Sequence, residues 1–220
     1  MNSIAYYGNP WVGMFAKTNN SITIVPVDAQ DKMVDIITER LGTSVIKTSI
    51  AESNISGLYC VMNSNGMVVP NITTNEEMSF LKNSGLNVYR SKEIQNAHGN
   101  NIVVNDKGGL VSDRIEHAEV LKMQDALGVE LVQMQIAEYH TIGSCCIATN
   151  KGFLTHFKTS EEEFSAIESA LKVRGSKGTA NMGTGFVTLG VIANDKGYVA
   201  GAATSAFELG RIEEALGLIV

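Results

Sequence analysis

Cysteine is scarce and odd in number. Cys60, Cys145 and Cys146 form no CxxC pair. That argues against a disulfide framework and a zinc site, and it fits a reducing, cytoplasmic setting. The four histidines, His98, His117, His140 and His156, include no pair at a metal-ligand spacing such as HxxxH. Solvated or capping roles are expected of them, with no metal and no cofactor. No apolar run approaches the ~18 residues a membrane helix needs. The opening MNSIAYYGNPWVG has neither a basic nor an apolar signal region, so no secretory signal is expected. Basic residues are in deficit, 17 against 23 acidic, for a net charge of −6. Overall charge therefore cannot drive the chain along nucleic-acid phosphates, and it better suits a basic protein partner. Flexible linkers and low-complexity segments are also missing, so the 220 residues read as one domain with a sizeable core.

What is present is a repeat. NSNGMVV at 63–69, NDKGGLV at 105–111, TNKGFLT at 149–155 and NDKGYVA at 194–200 share a turn, and TNNSITI at 18–24 is a looser copy. The fourth position falls at Ser21, Gly66, Gly108, Gly152 and Gly197, at intervals of 45, 42, 44 and 45 residues. Apolar runs flank each turn, led by Gly13, Gly57, Gly99 and Gly143 in four cases and by FVTLGVIA in the fifth. Two short apolar runs about an Asn/Asp/Gly turn predict a β-hairpin, with the glycine free to take positive φ.

A helix signal follows each hairpin, led by Asp28, Thr74, Asp113, Ser160 and Ser205, with apolar residues at i, i+3, i+4 spacing. Thr74–Glu77, Ser160–Glu163 and Ser205–Glu208 have capping-box spacing. The carboxylates of Glu161, Glu162 and Glu163 suit a helix start. Gly42, Gly85, Gly128 and Gly217 stand where helices should end. A third strand is predicted at 45–50, 87–90, 130–136 and, weakly, 178–182.

The fold class is therefore α/β, five ββαβ units spanning about 8–52, 53–94, 95–138, 139–183 and 184–220, with 1–7 closing the ring. The glycine spacing runs on almost unbroken from the C-terminus to the N-terminus. Ile4–Tyr7 is accordingly expected in the fifth sheet beside Leu218–Val220, which would satisfy otherwise open strand edges.

GMFAKTNN at 13–20, GLYCVMNSNGMVVPNITTNEE at 57–77, GNNIVVND at 99–106, SKGTAN at 176–181 and TSAFEL at 204–209 resemble the translation initiation factor 6 family, and the likeness runs through essentially the whole chain. Val69, Pro70, Asn71, Thr73, Thr74 and Glu77 form its most specific block. The resemblance implies the pentein fold, a closed five-unit α/β propeller. It also implies binding to the large ribosomal subunit, blocked joining of the small subunit, and a part in late large-subunit maturation. The length is similar to the archaeal form, so regulation through a eukaryotic C-terminal tail is not carried over.

Five equivalent turns around one axis must share one end. Asn63, Asn105, Asp106, Asn150, Asn194 and Asp195 are expected to ring that face with amides and carboxylates open to a basic protein. The resemblance singles out Asn63, Asn100 and Asp106 as matching positions that bind a ribosomal protein; Leu58 departs, since eukaryotic members carry a basic residue there. His98 adjoins Asn100 and would line the same rim. Lys172, Arg174 and Lys177 form either a solvated patch or an rRNA contact. Cys60 and Cys146 occupy equivalent core slots, Cys145 is expected on the more exposed strand face, and Trp11 and Phe15 read as packing. The expected factor is a monomer that acts without catalysis and touches no membrane. The alternative is an enzyme, because the same fold hosts amidinotransferases and deiminases with a Cys nucleophile near the C-terminus. Here no cysteine follows Cys146.

Overall fold

The computed structural model describes residues 3–218. Its strands form five three-stranded sheets among the described residues. In the first repeat Lys17–Thr18 pairs antiparallel with Ile22–Val25, whose other edge takes Ser44–Lys47 in parallel. The next three copy this order. They are Val61–Met62, Met67–Val69 and Val88–Arg90; Ile102–Val104, Gly109–Ser112 and Leu131–Met134; and Cys146–Ala148, Phe153–His156 and Gly175–Gly178. A parallel third strand needs a crossover, and a long helix supplies it each time: Asp31–Leu41, Asn75–Asn83, His117–Leu127 and Glu161–Leu171.

The fifth repeat has its hairpin, Val191–Ala193 and Tyr198–Gly201, and its helix, Ala206–Ala215. Its third strand comes from the other end of the chain: Ser3 and Ile4 pair in parallel with Ala200 and Gly201. The N-terminus joins the fifth sheet as expected, but the strand stops at Ile4 and Leu218 lies in no strand. Tyr6 already turns back to bridge Asn9, and the part of the expected pairing on residues 219 and 220 lies outside the described residues.

Each long helix packs on its own sheet and on the preceding one, so the cores interlock. Met33, Ile37 and Leu41 share a cluster with Val25 and, across the chain ends, with Ile192 and Val199. Val120, Met123 and Leu127 do the same with Val61 and Val68. Ile212 and Leu216 pack with Ile147 and Leu154.

Three local expectations are corrected. The glycine-led runs begin as one-turn helices, Val12–Phe15, Ser56–Tyr59, His98–Asn101, Ile142–Cys145 and Val187–Gly190, before turning into strands. These five turns touch in a closed cycle about the axis. A Cβ on Gly57 would lie 2.0 Å from the Gly13 carbonyl oxygen, and one on Gly99 2.0 Å from that of Gly57. The glycines exist for that approach.

The third strand of the fourth repeat is Gly175–Gly178, not 178–182, because Asn181 and Met182 have positive φ and cannot extend a strand. Asp28 and Asp113 do not cap their helices. The caps are Gln30 and Glu116, neither with a side-chain bond to its own helix, while Asp28 accepts from the Tyr6 hydroxyl and Asp113 from Gln135. Thr74, Ser160 and Ser205 form complete capping boxes as expected.

Two ends of the ring as candidate binding sites

At one end stand the five hairpin tips, and each letter of NDKG has its own task there. The asparagine is structural. Asn105 Oδ1 accepts from the backbone N–H of Lys107 and Gly108, and its Nδ2 donates to the carbonyls of Thr149 and Leu171 in the next repeat. Asn63 repeats this toward Asn105 and Leu127, and Asn194 toward Asn19 and Leu41. Leu41, Leu127 and Leu171 end long helices, whose last carbonyls have no partner within the helix. Asn19 donates to the Asn63 carbonyl alone, and the second long helix is two residues shorter than the first. Thr149 has no amide, so the fourth repeat lacks this donor to the fifth.

These side chains are therefore not an open rim of amides. Asn63, Asn105 and Asn194 are each 4% exposed, and their donors and acceptors are already engaged. The expectation of free amides is corrected for these three.

The next letter builds a second, outer chain of bonds. Asp106 accepts from the Ser64 N–H and hydroxyl and from Asn150 Nδ2, and its own N–H donates to Asn150 Oδ1. Asn150 also donates to Asp195 from N–H and Nδ2, and Asp195 exchanges bonds with Asn20. Asp106, Asn150 and Asp195 are half-buried. Ser64 and Asn20, which local sequence patterns do not single out, complete the series.

The lysine reaches sideways: Lys107 Nζ donates to the Asn150 carbonyl and Lys196 Nζ to that of Gly42. The glycine is there for space, not for positive φ, which none of the tip glycines has. A Cβ on Gly66, Gly108, Gly152 or Gly197 would fall 2.0 to 2.3 Å from a carbonyl oxygen at the end of the neighbouring long helix. Ser21 escapes the constraint, exposed beside the short second helix.

The other end is formed by the one-turn helices and the connections into them. Asn100 is here, not at the tips. The strand Ile102–Val104 separates it from Asp106 by on the order of 10 Å. Asn100 Oδ1 accepts from the Ser144 hydroxyl at 2.9 Å, and its Nδ2 has no protein partner among the described residues. The equivalent positions of other repeats hold Met14, Leu58 and Leu189, all half-buried. The connections add Tyr7, Tyr139, Ile94 and Met182, the last two 82% exposed. One end is thus a hydrogen-bonded polar surface, and the other mixes these apolar side chains with exposed Glu52, Lys92, Gln95 and Glu138.

A glutamate clamp stiffens the helix end. The third residue of each of four long helices accepts from the turn of the preceding repeat: Glu77 from Ser49, Ala51 and Glu52; Glu119 from Ser91 and Lys92; Glu163 from Ala137; Glu208 from Thr179, Met182 and Gly183. Gln30 does this for Tyr7, across the chain ends. Burial disfavours the Glu119 carboxylate, but bonds from Lys122, Lys92, Tyr89 and Ser91 outweigh it and bring its pKa down to about 2. The sequence showed the capping boxes and not this reach across repeats.

The remaining candidates are mostly buried or engaged with neighbouring side chains. Cys60, Cys145 and Cys146 are free and buried, which corrects the exposed placing of Cys145, and burial raises the Cys60 and Cys145 thiols to about 12. His98 and His156 are buried, contrary to the expected solvated roles. Neither ring nitrogen of His98 has a partner, and burial lowers its pKa to about 4. His156 Nδ1 accepts from the Lys158 N–H. His117 and His140 are on the surface, His140 against Asp113. Phe15 packs on Tyr6, with ring centroids 4.2 Å apart. Lys177 leaves the expected basic cluster to pair with Glu161. Among the described residues no group of three or more His, Cys, Asp or Glu could hold a metal ion, and no helix is long and apolar enough to cross a membrane.

Known proteins are similar to this chain over nearly its whole length. Residues 1–215 match the model of the eIF-6 family. The chain is 39% identical over 221 residues to translation initiation factor 6 of Methanocaldococcus jannaschii, covering 97% of this chain and 96% of that protein. It is 35% identical over 222 residues to the protein of that name from Saccharolobus islandicus, covering 99% of each. With the protein from Picrophilus torridus the identity is 34% over 216 residues, covering 98% and 99%. A match of this extent, on a ring of five ββαβ repeats, means that the chain belongs to the eIF-6 family of translation initiation factors.

Proposed function

We propose that this chain binds the large ribosomal subunit and, by its bulk, keeps the small subunit from joining, with a further part in large-subunit maturation. The observation that carries the reading is the contrast between the two ends of a family member's ring. At the helix end the Asn100 side chain, with its Nδ2 unpartnered, stands beside half-buried apolar side chains, on a frame clamped by glutamates. A preformed surface of that kind loses little freedom on binding, and an apolar patch with a polar anchor suits a folded ribosomal protein. The mechanism is steric and needs no cofactor, and the chain acts as a monomer in the cytoplasm. Of the seven proposed site residues, Asn100 contacts the partner. Asn63, Asn105 and Asn194 hold the ring in shape. Asp106, Asn150 and Asp195 lie on the opposite face.

The guanidino-modifying alternative gains no support from the cysteines, since a nucleophilic thiolate needs an electropositive, accessible setting that lowers its pKa. The test is to compare Asn100→Arg with Asp106→Arg in co-sedimentation with isolated large subunits. Asn100→Arg is expected to weaken binding at least tenfold, and Asp106→Arg much less. Equal losses, with both variants folded by circular dichroism, would move the contact away from the helix end.

A further inference from the structure

Lys172 holds a backbone conformation that side chains disfavour. It caps the helix Glu161–Leu171 at φ +56°, where Gly42 and Gly128 cap theirs at +58° and +65°. A left-handed residue with a Cβ is strained. The helix dipole favours a cation at this end, but a lysine in the last turn would serve that purpose without positive φ. Its side chain opens onto a groove of about 500 Å³ shared with Lys107, Lys151 and Arg174.

These four cations come from two hairpin tips and one helix end. None has a carboxylate within ion-pair distance among the described residues. Glu168 is the one acid lining the groove, and Lys107 already touches the Asn150 carbonyl. On a chain of net charge −6 such a concentration of unpaired positive charge is unusual.

We infer that this groove, between the third and fourth repeats at the tip end, is a phosphate-backbone contact for RNA. The groove is open, and all its lining residues but Val173 carry polar or charged ends on their side chains, which suits an extended polyanion better than a folded peptide. Cations placed on different repeats can follow successive phosphates without reading bases. The inference deepens the ribosome reading, with ribosomal RNA as the polyanion, and adds a binding surface distinct from the helix end.

Two variants test it, Lys172→Gly alone and Lys107→Ser/Lys151→Ser/Arg174→Ser together, with Lys177→Ser as a control outside the groove. The probes are a labelled single-stranded RNA, poly-glutamate and isolated large subunits, over a salt series. Lys172→Gly is expected to weaken RNA binding several-fold while raising Tm by about 2 °C, since glycine relieves the backbone. The triple variant should flatten the log–log salt dependence by roughly 2, at about 0.7 for each phosphate no longer neutralised. Lys177→Ser should match the parent. Unchanged RNA affinity and slope in both groove variants would overturn the inference, as would equal binding of poly-glutamate. Loss of RNA binding in a chain that never sediments with large subunits would uphold the groove and reject the ribosome reading. Unchanged RNA binding in variants of a chain that does sediment would do the reverse.

Discussion

The side-chain amide of Asn63 lies 2.8 Å from the carbonyl oxygen of Leu127, sixty-four positions away and one repeat further round the ring. Two backbone N–H groups of its own turn and the carbonyl of Asn105 complete its bonds. One side chain thus shapes a hairpin tip, caps a helix and ties two repeats together. Asn63→Ala should cost about 3 kcal/mol, because it strands several buried polar groups at once. Urea denaturation would measure this, and a loss below about 1 kcal/mol would mean the link is incidental.

The same geometry points to a gain of stability. Thr149 stands where Asn63, Asn105 and Asn194 stand in their repeats, and the fifth long helix is close enough for a Gly152 Cβ to fall 2.2 Å from the Ala215 oxygen. Thr149→Asn should supply the missing donor and raise stability by about 1 kcal/mol, or 2–4 °C in Tm. A lower Tm would show that the fourth and fifth repeats meet differently.

Glycine at the tips is required by space, so its replacement should hurt in proportion to crowding. Gly108→Ala would set a Cβ 2.0 Å from the Ala170 oxygen and should cost about 2–3 kcal/mol. Ser21→Ala, at the exposed equivalent position, should stay within about 0.5 kcal/mol. Similar effects at the two positions would contradict the close-approach argument.

That contrast shows what the sequence could and could not reveal. The period of the Gly108 and Gly152 turns, the hairpins and the capping boxes of Thr74, Ser160 and Ser205 were legible because each depends on neighbours within a few residues. The reason for the glycines was not, since the crowding atom belongs to a helix more than sixty residues away. Asn63 read as a surface amide for the same cause: its partners lie in another repeat. Asn100 and Asp106 looked like one site because six positions separate them, but the strand between them carries one to each end. The basic groove was half visible in Lys172 and Arg174; Lys107 and Lys151 join them only in the folded ring.

Acid should act in two stages. His98 is buried with its pKa lowered to about 4 from 6.5, so the unfolded chain takes up the proton first and stability falls as pH drops between those values. Glu119 has its pKa lowered to about 2 from 4.5. Its contribution is whole above 4.5 and is lost as pH falls toward 2. His98→Leu should make the upper window shallower, leaving the part due to His156, and Glu119→Gln the lower, leaving the parts due to Glu77 and Glu208, as read from urea midpoints across pH. A parent curve flat from pH 6.5 to 2 would contradict both assignments.

The central claim is tested most directly by sedimenting the purified chain with isolated large and small ribosomal subunits at low salt, then adding both. Co-migration with the large subunit only is expected, together with a fall in joined ribosomes as the chain is added. Absence from the large-subunit peak, or undiminished joining in its presence, would contradict the claim.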